Sequence, residues 1–145
     1  MLQSLDVNDY MLHNPLRIGA EADIFDAVQL ILDHKVSGLC VVDSQNVLVG
    51  VLSELDCLDA ILSVIYEGSG RAGKVSDYMT PVGSVVCASL SEDIVDIARD
   101  MVRNKRRRRP VVQDGKLVGQ ITCRQLLRAV RDFSALRPPA RAANG

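Results

Sequence analysis

The chain has 145 residues, the length of one ordinary domain on the usual scale of roughly 100–200 residues, and 48% of them are hydrophobic, enough for a sizeable core. No apolar run approaches the ~18 residues of a membrane-crossing helix, and the N-terminus has neither a basic flank nor an apolar leader, so we expect a soluble, unexported, cytoplasmic protein. The formal net charge of −1 conceals a split: residues 1–74 carry 11 acidic and 4 basic side chains (−7), and residues 75–145 carry 7 and 13 (+6). Fields opposed in this way favour an anionic partner or a second copy of the chain.

In chain order, Ser4 to Met11 reads as a short helix broken by Asn14-Pro15, and Leu16 to Ile18 as a brief extended segment. From Asp23 to Lys35, apolar residues at Ile24, Ala27, Val28, Ile31 and Leu32 have helical spacing. Gly38 to Val42 reads as a strand, and Ser44-Gln45-Asn46 as a turn into a second apolar strand. That strand stops at Ser53, where Glu54 to about Tyr66 continues as a helix, so Ser53 stands at a helix N-cap. Glu67 to Gly73, with three glycines, is a linker.

After the linker the pattern restarts. Val7-Asn8-Asp9-Tyr10-Met11 returns as Val75-Ser76-Asp77-Tyr78-Met79, Asp23-Ile24-Phe25-Asp26 as Asp93-Ile94-Val95-Asp96, and Cys40-Val41-Val42 as Pro110-Val111-Val112. The frame Gly50, Ser53, Asp56 returns as Gly119, Thr122, Gln125. Offsets of 68 to 70 that change only in loops mean one folding unit written twice. We therefore expect an α/β (α+β) fold of two pseudo-symmetric repeats, each β-α-β-β-α, packed sheet to sheet. Residues 1–70 form the first, 71–134 the second, and 135–145, rich in Pro, Ala, Arg and Gly, a disordered tail.

The duplicated unit resembles the CBS motif, the module first named for cystathionine β-synthase, and the chain resembles a stand-alone tandem pair, or Bateman module. Tyr78-Met79-Thr80-Pro81, Arg109-Pro110-Val111-Val112 and Gly50-Val51-Leu52-Ser53-Glu54-Leu55-Asp56 carry the resemblance, which covers roughly residues 5–130. It implies a non-enzymatic sensor that needs no cofactor, binds an adenosine-containing ligand such as AMP, ADP, ATP or S-adenosylmethionine between its motifs, and forms a homodimer. Two departures stand out: Leu12-His13 replaces Thr80-Pro81 in the first repeat, and Gln125 stands where the family places a ribose-binding Asp.

The first candidate site comprises Ser53 and Asp56 with Ile18, Gly38, and Arg106, Arg107, Arg108 and Arg109. A carboxylate at Asp56 offers two acceptors to a ribose diol, while Ser53 and the first helical N–H groups suit a phosphate. The competing reading is a capping box in which Ser53 and Asp56 satisfy the helix end. A weaker second site comprises Thr122, Gln125 and Val86; here the capping box is the preferred reading, because a neutral amide holds a diol less well.

The run Lys105 to Arg109 has three readings: a phosphate site facing Asp56, a surface or dimer contact onto the acidic first half, and a nucleic-acid patch. The absence of Trp and an aromatic content of 3% argue against nucleic acid. Four cysteines, Cys40, Cys57, Cys87 and Cys123, lack Cys-x-x-Cys spacing, which points to buried free thiols and away from a metal. His13 and His34 are isolated, Glu92-Asp93 suits a helix N-terminus, and Met11, Met79 and Met101 suit packing. The alternative function is a dimerisation or protein-interaction module whose pocket is degenerate.

Overall fold

A computed structural model describes residues 4–68 and 72–131. Within each repeat the elements follow from local chemistry. The first long helix, α2 (Ile24–His34), begins where the Asp23 carboxylate accepts the Phe25 N–H at 2.7 Å, and ends where Lys35 turns left-handed at φ 53°. Its counterpart α5 (Ile94–Asn104) is capped by Asp93 and ended by Lys105 at φ 57°. Each left-handed lysine reverses the chain into a strand, β3 (Gly38–Val42) and β6 (Arg108–Gln113) respectively. A tight turn then leads into β4 (Leu48–Ser53) or β7 (Lys116–Thr122), antiparallel to its predecessor, and on into α3 (Glu54–Glu67) or α6 (Cys123–Arg131).

The short leader segments are exchanged. Helix α1 (Val7–Tyr10) is followed by β1 (Leu12–His13), which pairs with β7 of the second repeat. Helix α4 (Val75–Tyr78) is followed by β5 (Thr80–Pro81), which pairs with β4 of the first. One sheet therefore runs β1-β7-β6, and the other β2-β3-β4-β5, where β2 is Arg17–Gly19. The cores follow the same exchange: Val7 and Met11 are buried with Ile94, Ile97 and Ile121, whereas Val75 is buried with Ile24, Ile31 and Leu52. Each repeat completes its apolar core with a segment of the other.

The exchange accounts for the recurring glycine. A Cβ at Gly50 would stand 2.6 Å from the Thr80 carbonyl oxygen and 2.7 Å from Met79 Sδ, and one at Gly119 would collide with Met11 Sδ and lie 3.0 Å from the Leu12 carbonyl oxygen. No side chain fits between each strand and the leader laid across it.

The two sheets meet through Cys40, Val42, Leu48 and Leu117, with Cys87 and Val112 at the margin. At the turn end, Asn46, with φ 64°, ties the repeats directly: its side-chain amide donates to the Leu117 carbonyl at 3.0 Å, and its own carbonyl accepts the Leu117 N–H at 3.1 Å. Among the described residues, no helix is long and apolar enough to cross a membrane. The expected tail at 135–145 and residues 69–71 of the linker lie outside the described residues.

Candidate functional site

At the end opposite Asn46, β3 and β6 begin side by side. The Arg108 guanidinium donates to Ser37 Oγ, and a Cβ at Gly38 would lie 2.8 Å from Arg108 Nη1 and 3.4 Å from Ser53 Cα. Gly38 is thus where a strand start of one repeat lets an arginine of the other pass. This crossing borders a cleft of about 1220 Å³ between the repeats. Its walls are Leu16 and Lys35 to Gly38 on one side, and Arg107, Arg108, Gln120 with its strand partner Leu12, and the start of α6 on the other.

The structure groups the candidate residues differently from the sequence. Arg107, Arg108 and Gly38 line one cleft with Thr122 and Gln125, not with Ser53 and Asp56. Ile18 is 8% exposed and packed in the first repeat's core, away from the cleft surface. Val86 is half-buried and absent from this cleft, whose corresponding position, 70 residues earlier, is Leu16.

The basic run is not one unit. Alternation along β6 turns Arg109 inward, where it is 5% exposed and paired with Asp100 Oδ2 and, at 3.3 Å, with Glu92 Oε1. Its Nε has no hydrogen-bond partner among the described residues. Arg106 also pairs with Asp100, at 3.2 Å. Asp100 accepts from Arg109, Asn104 and Arg106, and the Arg109 hydrogen bond is the main reason its carboxyl is held below the usual carboxylate range. Arg109 and Arg106, both expected at a phosphate, are thus engaged by carboxylates of their own repeat, Arg109 buried and Arg106 part-exposed. Glu92, read as helix-end charge, also accepts the Ser89 N–H at 2.7 Å.

Both helix starts form capping boxes. Asp56 Oδ2 accepts the Ser53 N–H at 2.8 Å while Ser53 Oγ accepts the Asp56 N–H at 3.1 Å, leaving Oδ1 without a partner among the described residues. In the second repeat Gln125 Oε1 accepts the Thr122 N–H at 2.8 Å and also the Thr122 hydroxyl. The Thr122 N–H can only donate, so it fixes the amide with its oxygen toward the cap and its NH₂ group outward.

The expectation that every thiol is buried fails at one position. Cys40 and Cys57 are buried and Cys87 is half-buried, but Cys123, first in α6, is exposed and lines the cleft. Burial pushes the Cys40 thiol up to about 11. Sequence reading missed Lys35, Cys123, Arg124 and Arg128 as cleft residues; the last two lie four apart on one helix face, a spacing visible in the sequence.

A β2-α2-β3-β4-α3 repeat and an α5-β6-β7-α6 repeat, in which the expected strand before the helix is reduced to a single bridge between Ala88 and Val111, exchange leaders and border a cleft at the start of α6, which defines a pseudo-twofold tandem module. The CBS domain model matches residues 7–63 and 75–132, and the chain belongs to that family as a tandem pair. It is 37% identical over 116 residues to the uncharacterized protein MJ1225 of Methanocaldococcus jannaschii, covering 80% of this chain and 39% of that one. It is 34% identical to the chloroplastic CBS domain-containing protein CBSX2 of Arabidopsis thaliana, covering 85% and 62%.

Across the first of these curated relatives, the chain spans between about a fifth and three fifths of their length. Among solved structures, CBSX2 in complex with AMP superposes with a TM-score of 0.78 at 33% identity, covering 89% of this chain and 98% of that one. The AcuB protein of Vibrio cholerae shares the fold, with a TM-score of 0.79 at 22% identity, covering 94% and 98%.

Proposed function

We propose that this tandem CBS pair is a non-enzymatic regulatory module that binds an adenosine-containing ligand, of the AMP, ADP, ATP or S-adenosylmethionine class, between its repeats. The observation that carries the reading is the Oδ1 of Asp56 at the first turn of α3, which has no partner among the described residues. Its other oxygen is held by the cap, so the carboxylate is fixed in place with one acceptor ready for a ribose hydroxyl. Support comes from CBSX2, which holds AMP and matches nearly the whole length of this chain.

No catalytic residue and no required cofactor belong to this proposal. The module acts as a homodimer, and Leu55, Leu58, Leu62 and Ile65, all exposed at helical spacing on α3, are the face through which it assembles. Ligand charge beside the arginines offsets their mutual repulsion and favours the closed arrangement of the repeats.

A second reading is a dimerisation module with a degenerate pocket, favoured by the capping boxes that occupy Ser53, Asp56, Thr122 and Gln125. Calorimetric titration with AMP separates the two. Asp56→Ala is expected to weaken binding by about 10- to 100-fold, the worth of a hydrogen bond to a charged group, with the fold intact. Equal affinity in the variant and the parent removes Asp56 from the site.

A further inference from the structure

Resting on the reading that the spaces between the repeats hold ligands, we infer that the cleft at Gln125 takes a different class of ligand from the Asp56 position. It takes a small molecule carrying a chain of three or more phosphate charges, held through its phosphates with no requirement for a ribose.

Two independent observations converge. The first is charge. Lys35, Arg107, Arg108, Arg124, Arg128 and Arg131 line this one cleft, and among the described residues no carboxylate does. Lys35, Arg107, Arg108, Arg124 and Arg128 have no carboxylate partner among the described residues, in a structure where Asp100 and Glu92 hold Arg106 and Arg109. Cations gathered in one hollow repel one another until an anion of comparable charge enters.

The pattern is also particular to the second repeat. Positions 69 or 70 residues earlier replace Arg107, Arg108, Arg124, Arg128 and Arg131 with Ser37, Gly38, Leu55, Asp59 and Leu62. Duplication supplied the hollow, and substitution on one side of it supplied the charge.

The second observation is hydrogen-bond polarity. Gln125 Oε1 is consumed by the Thr122 N–H and hydroxyl, so the amide presents its NH₂ donors outward. A ribose diol asks for an acceptor, which Asp56 retains at Oδ1 and Gln125 lacks. A phosphate oxygen asks for donors, which Gln125 and the arginine forks supply. Loss of the acceptor and gain of the cations thus point to one class of ligand. A nucleoside polyphosphate and an inorganic polyphosphate share this chemistry.

Cys123 gives the experiment its readout, because it is an exposed thiol on the cleft wall and its alkylation rate reports occupancy. The full chain is alkylated with iodoacetamide, modification at Cys123 being followed by peptide mass spectrometry, alone and with inorganic tripolyphosphate, ATP, AMP or an oligothymidylate. Tripolyphosphate and ATP are expected to slow Cys123 alkylation about tenfold, with protection fading as salt rises from about 50 to 200 mM. The paired substitution Arg124→Ala/Arg128→Ala abolishes protection, whereas Arg99→Ala/Arg103→Ala, an equal charge change on α5, leaves it intact. ATP protecting more strongly than tripolyphosphate marks the nucleoside form as the preferred source, and the reverse marks the inorganic form.

Failure of tripolyphosphate to protect overturns the inference, as does equal protection in the Arg124/Arg128 variant, or by AMP at the same concentration. Protection by the oligothymidylate, phosphate for phosphate, overturns it in favour of a polynucleotide surface. Asp56→Ala is expected to keep tripolyphosphate protection while losing AMP binding in calorimetry, so failure of the adenosine reading and failure of this inference give different results.

Discussion

Asp100 is the residue on which the second repeat's charges converge. It holds the buried guanidinium of Arg109 and, beyond it, Arg106, and a buried cation stripped of its partner is among the costlier defects in a fold. The Arg109 hydrogen bond lowers the Asp100 pKa in the folded chain relative to about 3.9 for a free aspartate. Its stabilisation is therefore complete above about pH 4 and is lost as pH falls through the lower, folded value. Asp100→Asn should be less stable at neutral pH and show a flatter decline of stability in acid, measured by urea unfolding across the pH range. A parallel acid limb in both proteins contradicts the assignment. The inward turn of Arg109 was legible in principle: period-two alternation along Arg108-Arg109-Pro110-Val111 sends neighbours to opposite faces, and Asp100 lies nine residues back on a helix. Reading the five basic residues as one run hid it.

At the scale of elements, local signals were readable and pairings were not. Helix α2 begins and ends where Asp23 and Lys35 suggest, because a cap and a left-handed turn are local chemistry. The partner of β1, by contrast, lies more than a hundred residues away, Leu12 opposite Gln120 and His13 opposite Gly119, and no periodicity within a leader names it. The repeated glycine was visible as a motif, but its cause, the passage of Met79 over Gly50 and Met11 over Gly119, is a contact between elements far apart in the chain. Gly119→Ala should therefore cost about 1–3 kcal/mol, the range for overpacking a tight core, measured by denaturant midpoint. Met11→Ala in the same background is expected to restore part of the loss, because it vacates the space that the new methyl needs. No loss in the single variant contradicts the close crossing.

The whole molecule behaves as one interlocked unit made of two similar halves. Each half keeps a segment of the other in its core, so unfolding one repeat strips the other of Val7 or Val75. Duplication was plain in the sequence, and with it the two-sheet architecture. The distribution of charge around the clefts was not, since it depends on which helix face meets which strand start. The same interlocking makes the space between repeats the place where a ligand can act on both at once, and that is the central claim.

The most direct test is a thermal-unfolding screen of the intact chain against AMP, ADP, ATP and S-adenosylmethionine. A ligand that binds only the folded state at about 100 times its Kd adds about 2.7 kcal/mol, which for a chain of this size raises Tm by roughly 5–10 °C. The account predicts such a rise with at least one of the four. Four unchanged unfolding curves at millimolar ligand would contradict it, leaving a tandem CBS pair that assembles but does not sense.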